Sequence, residues 1–497
     1  MTYLSTIIND GATMDKLLQY TNVQYSSNQE PVGVLITDTS TLPTVQRIDK
    51  NGIPFTPDSD YFHNNEIFQS YKCTIDSTGN IVYGTNPRGD GLNLTGANGD
   101  VMARHENVQY RYEYDSGDLR LWFAPFHSNH RFYKYHPHCY QNGGTLIDHF
   151  FIGTYKAGLT DDNGTLKLNS YTGVQPWTGG QMRSVPFTSG TTEFTVGETI
   201  TGTNGAMGTV VSWHKASGDW SLGTAAGTVY IRNHGVNAST ATTFTSGDTL
   251  TRTSGSATTS GVSSVLNLNV DQAHTYATNK GAGWTIDDIW SNSLLIWKFV
   301  MQYGTRNSNT AIGLGVCNHT TGTGYNGLLN GAGDIDSALD YWGTGHGTGI
   351  DGDRTISWNN MQDYGDNVFE FVIGVNTLTT GEYRVINRNG ICTVAGSIPS
   401  GSYETGYGVV PTGTNGYISK IQTDEMGALA GIPLSVGGTD TQNYCDFYYY
   451  GTSSPAVMLY GGGWTSYYSG MWSRIFTASP TTSSSTACAR LKYIPQS

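Results

Sequence analysis

The sequence predicts a mostly β protein of the α+β class with few helices, and three observations favour this class. Charged residues make up only 13% of the 497 residues, while 64 glycines punctuate the chain at short intervals. Many short segments alternate aromatic or apolar residues with polar ones, which is the period of a half-buried strand. Only one longer segment, residues 285–303, is apolar nearly all round as a buried helix would be.

The first 95 residues are interpreted as an N-terminal attachment or oligomerisation region. They are irregular and punctuated by Pro and Asp, with a short helix predicted around residues 14–20. The start of the chain lacks the basic stretch and continuous apolar segment of a signal peptide. No run of about 18 apolar residues is present either, so we expect no membrane insertion.

Residues 96–185 are predicted to form the first part of the main β body. Residues 108–114 (VQYRYEY) alternate in a strand pattern, the turn sequence DSGD follows, and residues 119–123 (LRLWF) begin a second strand. This arrangement predicts a β-hairpin. A further strand is expected at residues 146–154.

Residues 186–268 are predicted to form an inserted all-β module, because Thr, Ser and Gly dominate there and charge is scarce. The segment FTVGETIT at residues 194–201 reappears as FTSGDTLT at residues 244–251, which indicates two similar hairpin units. Residues 269–497 then continue the body, starting with the buried helix. Thr285 is expected to cap that helix, with Asp288 as its capping-box partner and Gly304 at its end.

Three C-terminal stretches together resemble a family of phage tail-fibre and variable proteins with the C-type lectin fold. Residues 366–372 (DNVFEFV) resemble the family's GNVWEWV strand, and residues 443–450 (NYCDFYYY) resemble its YCDYYY segment. Residues 459–464 (LYGGGW), Gly470, Phe476 and the sequence Cys488-Ala489-Arg490 resemble the family's terminal motif. Phe stands twice where the family has Trp, and Cys488 replaces its final Gly.

The resemblance implies a C-terminal C-type lectin fold, split by the inserted module, on a virion protein that is made in the host cytoplasm and exposed on the particle. It implies a homotrimeric tail fibre or tail-tip adhesin that contacts other virion proteins and binds a host cell-surface protein or glycan. In some relatives a diversity-generating retroelement rewrites the ligand-facing segment. A structural head-fibre or decoration protein without a receptor is the alternative, and an enzyme of the formylglycine-generating type is a remote one.

Aromatic residues, one Arg, one Met and hydroxyls near the C-terminus form the predicted ligand-binding site, a composition that suits a recognition surface. Trp464 is interpreted as a structural residue instead. The predicted ligand-binding residues are Tyr448, Tyr450, Thr465, Tyr467, Tyr468, Met471, Trp472, Arg474, Phe476 and Thr477.

Composition and motifs also argue against other classes of function. A net charge of −13 without a Lys/Arg cluster disfavours nucleic-acid binding. The six cysteines are scattered and are expected to be free thiols, with no reactive motif and hence no predicted catalytic residues. The sequence His136-Pro137-His138-Cys139 fits no standard zinc pattern. No cofactor is expected, although Asp334, Asp336, Asp351 and Asp353 leave a structural Ca²⁺ open.

Overall fold

The chain folds into several β-sheets around one long buried helix, as seen in a computed structural model. The structure describes residues 30–496 except 59, 129, 141–143, 175, 180–181, 234–242, 267, 318–337, 349–350, 352–353, 387–402, 405–407, 454, 464–469 and 485. Residues in strands far outnumber residues in helices in this part of the chain. The protein is therefore mostly β and belongs to the α+β class.

Two sheets combine strands from both sides of residue 95. The five-stranded sheet has, in spatial order, the strands Gln46–Ile48, Val32–Thr37, Asp118–Pro125, Val108–Asp115 and Lys134–Tyr135. The six-stranded sheet has the strands Trp284–Ile286, Leu491–Tyr493, His149–Gly153, Asp100–Glu106, Ser70–Ile75 and Ile81–Tyr83. The predicted hairpin is confirmed, because Val108–Asp115 pairs antiparallel with Asp118–Pro125. Residues 32–83 thus share their sheets with the later chain.

A nine-stranded sheet contains the C-terminal segments. Eight of its strands follow the order Tyr403–Glu404, Tyr383–Ile386, Phe369–Thr377, Ala456–Tyr460, Arg474–Ala478, Phe447–Tyr450, Gly416–Ile421 and Pro433–Val436, and Ala487–Cys488 pairs with the third. Smaller sheets comprise Gly158–Asp162 with Thr165–Asn169, and Gly345–His346 with Ile356–Trp358 and Met361–Gln362.

The nine-stranded sheet separates two hydrophobic cores. Val372 and Met458 lie in the larger core, which also contains the long helix Ile289–Tyr303 and the apolar face of the five-stranded sheet. Phe371 and Leu459 lie in the second core, with the six-stranded sheet and the helix Val270–Thr278. Because successive side chains of a strand alternate in direction, one sheet can line both cores.

The long helix begins later than the sequence predicted. Its N-cap is Asp288, whose carboxylate accepts hydrogen bonds from the backbone N–H groups of Trp290 and Ser291. Thr285 instead lies in the strand Trp284–Ile286, so its predicted role as the cap is wrong. Strand pairing with residues 491–493 satisfies the backbone there and delays the helix by one turn. Gly304, in the left-handed conformation, ends the helix as expected.

The remaining described helices are short. Tyr61–Asn64, Ser308–Ile312 and Glu425–Leu429 are one-turn α-helices, and Glu66–Phe68 and Pro137–Tyr140 are 3₁₀ turns.

A seven-stranded sheet has its own apolar cluster and contains the repeated segments. Its strands are Ala225–Asn233, Met207–Ser217, Thr199–Gly202, Thr249–Thr251, Ser256–Thr259, Met182–Gly190 and Ser264–Leu266. The two copies adopt the same turn: Glu198 accepts a hydrogen bond from the N–H of Thr195, and Asp248 accepts one from the N–H of Thr245. Each copy opens a hairpin, and the two hairpins pair with each other.

Candidate ligand-binding surface

The two strands that carry the predicted binding residues lie side by side and run parallel. In their register Tyr448 is opposite Arg474, Tyr449 opposite Ile475, and Tyr450 opposite Phe476. Alternation along a strand sends neighbouring side chains to opposite faces of the sheet. The register therefore directs Tyr448, Arg474 and Phe476 to one face, and Tyr449 and Ile475 to the other.

Burial corrects half of the predicted binding site. Five of the ten residues are almost completely enclosed within the protein, where an external ligand cannot reach their side chains: Tyr448, Met471, Trp472, Arg474 and Phe476. All but Arg474 belong to the larger hydrophobic core. Their aromatic and apolar character, which resembled a recognition surface in the sequence, is used for core packing.

Trp472 illustrates this packing. Its ring lies edge-on to Trp297 of the long helix, with 5.2 Å between ring centroids, and to Tyr444, at 4.8 Å. The hydroxyl of Tyr448 donates a hydrogen bond to the backbone carbonyl of Pro411. The ring of Trp472 thus packs the segment that precedes the strand Arg474–Ala478 against the helix.

Arg474 is a buried cation. Its guanidinium donates to the carbonyls of Met471 and Ser473 and lies 5.6 Å from the centre of the Tyr460 ring. Burial lowers the pKa of Arg474 to about 10. It supports the turn that precedes its own strand.

The other predicted residues divide into two groups. Tyr450 and Thr477 are partly exposed, and the hydroxyl of Tyr450 donates to the carbonyl of Leu378. Thr465, Tyr467 and Tyr468, together with Trp464, lie outside the described residues.

A different set of aromatic side chains lies on the outward face of the sheet, where Tyr449 is exposed and Phe447 and Tyr417 are partly exposed. Phe447 and Tyr449 occupy the outward positions of their strand, and Tyr417 lies beside Phe447 on the neighbouring strand. The ring centroids of Tyr417 and Phe447 are 5.4 Å apart, and those of Phe447 and Tyr449 are 6.3 Å apart. Tyr449 is 46% exposed. We call these three residues the aromatic surface.

The sequence could have indicated these residues only in part. Period-two alternation across residues 447–450 shows that two aromatic residues face one way and two the other. It does not show which pair is buried, because all four are aromatic. Tyr417 lies 30 residues upstream in another strand, and only the sheet brings it to this surface.

A buried carboxylate holds the turn below the aromatic surface. Asp446 accepts a hydrogen bond from the N–H of Trp472 at 2.7 Å, and Cβ placed on Gly470 would collide with its carboxylate. Burial raises the pKa of Asp446 to about 7. Gly470 is thus required for the backbone to pass this side chain.

A buried ion cluster fixes the C-terminal segment to the body of the protein. Glu370 accepts two hydrogen bonds of 2.8 Å from the guanidinium of Arg490 and a third from the ammonium of Lys156. Burial alone would raise the pKa of Glu370, but the two cations lower it overall. Arg490 also donates to the carbonyls of Gly153 and Gln362, so one side chain joins three segments.

The described cysteines and the two histidines of the sequence His136-Pro137-His138-Cys139 are buried. Cys73, Cys139, Cys317, Cys445 and Cys488 are buried and are not paired in disulfides. Burial raises the pKa of Cys445 and Cys488 to about 12, which keeps both as thiols. His136 and His138 are buried, and burial lowers the pKa of His138 well below its usual range.

Within the described parts of the chain, no three His, Cys, Asp or Glu side chains converge as a metal site. Asp351 instead accepts a hydrogen bond from the N–H of Leu314. The other three residues of the possible Ca²⁺ site, Asp334, Asp336 and Asp353, lie outside the described residues.

Comparison with known proteins gives no family assignment. No protein-family model and no curated protein matches the chain. Among the helices of the described residues, none is both long and apolar enough to cross a membrane.

Proposed function

We propose that the protein is a virion surface adhesin of a tailed bacteriophage, a tail fibre or tail-tip protein, whose C-terminal domain has the C-type lectin fold and binds a host cell-surface protein or glycan. The observation that carries the binding part of this proposal is the aromatic surface of Tyr417, Phe447 and Tyr449. The virion assignment rests on the resemblance of the C-terminal motifs.

The aromatic surface suits recognition by physical criteria. Its rings project from paired strands, so little side-chain or backbone entropy is lost on binding. Tyr in particular offers a large apolar ring with a polar hydroxyl, which can pack on the apolar face of a sugar or on a peptide. The core contacts of Tyr448, Trp472 and Phe476 directly behind these strands keep the surface rigid.

The burial of the cysteine thiols favours non-covalent binding over catalysis. Cys445 and Cys488 lie in the region where a thiol enzyme of the resembling fold would need reactive sulfur, but both are buried and have raised pKa values. A neutral, enclosed thiol is a poor nucleophile and a poor metal ligand.

In a trimer, three weak sites would act together and increase avidity.

Binding of the fluorescently labelled full chain to a panel of bacterial strains, measured by flow cytometry, tests this proposal. We expect at least one strain to be labelled, and Tyr449→Ala to reduce labelling by about tenfold, since aromatic residues dominate such interfaces. Tyr341→Ala is the matched control, because Tyr341 is 56% exposed on another part of the molecule. If both variants label the cells equally strongly, the aromatic surface is excluded as the binding site. Labelling of no strain would favour a structural head-fibre or decoration protein.

A further inference from the structure

A cavity of about 650 Å³ lies at the end of the long helix, and its lining includes none of the three residues of the aromatic surface. Its walls come from residues 35–56 and from residues 303–306. The two segments are joined by backbone hydrogen bonds from Val45 to Gly304 and from Arg306 to Pro43. A cavity of this size lies within the range that small-molecule ligands occupy.

The charge of the lining is opposite to that of the whole protein. Arg47 and Arg306 both line the cavity, and no Asp or Glu does so, although the chain has a net charge of −13. Among the described residues, no carboxylate lies within 4 Å of either guanidinium. The acid nearest to Arg47 along the chain, Asp49, already accepts hydrogen bonds from the backbone N–H groups of Asn51 and Ile53.

The two arginines have donors left over after their structural contacts. Arg47 donates to the carbonyls of Met301 and Gln302 and so offsets the negative end of the helix dipole. Arg306 is only 2% exposed, stacks on the Tyr444 ring at 4.5 Å and donates to the carbonyl of Leu42. Its Nε has no hydrogen-bond partner in the described chain. Because each guanidinium has five N–H donors, the partly exposed Arg47 can still donate to an anion, and the buried Arg306 adds positive charge to the same lining.

The rest of the lining matches a sugar better than a simple ion. Hydroxyls of Ser40, Thr44 and Thr56 can exchange hydrogen bonds with sugar hydroxyls, and the ring of Phe55 offers a flat apolar surface. We infer that this cavity binds an acidic sugar, whose carboxylate or phosphate is directed to Arg47 and is attracted by the positive charges of Arg47 and Arg306. The inference is independent of the aromatic surface, and the two sites can be tested separately.

Isothermal titration calorimetry of the full chain with D-glucuronic acid, glucose 6-phosphate, inorganic phosphate and neutral glucose tests this inference. We expect one or both acidic sugars to bind at concentrations up to about 10 mM, and glucose not to bind in that concentration range. Higher salt should weaken binding, because the attraction is electrostatic and the cavity is open to solvent. Equal binding of inorganic phosphate and glucose 6-phosphate, or of glucose and glucuronic acid, would overturn the inference.

A substitution at Thr56 tests the location of binding without changing Arg47 or Arg306. Thr56 is an exposed lining residue, so Thr56→Glu adds a negative charge to the cavity with little effect on folding, and Thr56→Gln is a neutral control of the same size. We expect Thr56→Glu to weaken binding of the acidic sugar about tenfold relative to Thr56→Gln. Equal affinity of the two variants, with unchanged melting temperatures, would overturn the inference.

Discussion

Replacement of Glu370 by Gln should destabilise the protein strongly, because the carboxylate balances two buried cations. Glu370, Lys156 and Arg490 are all fully enclosed, and Glu370 accepts three charged hydrogen bonds. Gln retains the size of the side chain but removes the negative charge. Removal of one partner from a buried ion pair costs about 3–5 kcal/mol, since the remaining charge stays desolvated and unpaired.

We expect a loss at the lower end of this range, because a neighbouring carboxyl can partly replace the negative charge of Glu370. Burial raises the pKa of Asp363 to about 6, and Lys156 and Arg490 act in the opposite direction on it. At pH 8 Asp363 can therefore supply one negative charge close to both cations. We expect Glu370→Gln to reduce the free energy of unfolding by about 3 kcal/mol at that pH.

Urea unfolding followed by tryptophan fluorescence measures the loss, because Trp290, Trp297 and Trp472 report on the larger core. With a slope of about 3 kcal/mol/M, the midpoint should fall by about 1 M. Glu382→Gln is the matched control: Glu382 pairs with Arg384 at 3.7 Å, and both side chains are more than one-third exposed. That pair should contribute less than about 1 kcal/mol. Equal midpoints for the two variants would refute the reasoning.

Three further predictions concern the packing of Trp472, the titration of Asp446 and the cap of the helix Val270–Thr278. Trp472→Ala should reduce the unfolding free energy by about 3–5 kcal/mol in urea titration, and Tyr449→Ala by less than about 1 kcal/mol; equal losses would contradict the burial of Trp472. The pKa of Asp446 is raised to about 7 by burial, so its contribution to stability is lost as pH rises from about 4 to 7. The melting temperature of Asp446→Asn should therefore rise relative to wild type over this pH range and stay constant above it; parallel pH profiles would exclude this titration. Asn269→Ala removes the side-chain cap of the helix Val270–Thr278 and should cost about 1 kcal/mol in urea titration, whereas Asn269→Asp should cost less than half of that.

The local elements could largely be predicted from the sequence, because their causes are local. Alternation and a turn sequence defined the hairpin of Val108–Asp115 and Asp118–Pro125. Apolar residues on all sides and a terminal glycine defined the long helix, whose start alone was misplaced. The repeated octapeptide indicated two equivalent hairpins, and the same Thr–acid hydrogen bond closes both turns.

The candidate site was predicted less well, because burial depends on what packs above each face. Residues 447–450 are all aromatic, so only packing in the larger core decides that Tyr448 is buried and Tyr449 exposed. Trp472 has the composition of a recognition residue, but Trp297 and Tyr444 enclose it.

The sequence by itself therefore determined the mostly β class, the strand periods, the buried helix and the repeat. Only the tertiary structure decided which C-terminal side chains face solvent, which charges meet and where a cavity forms. Glu370 meets Lys156 across 214 residues and Arg490 across 120 residues. Arg47 meets the end of the long helix across 254 residues. Such contacts depend on how the sheets stack on one another, and short-range patterns in a sequence do not show that stacking.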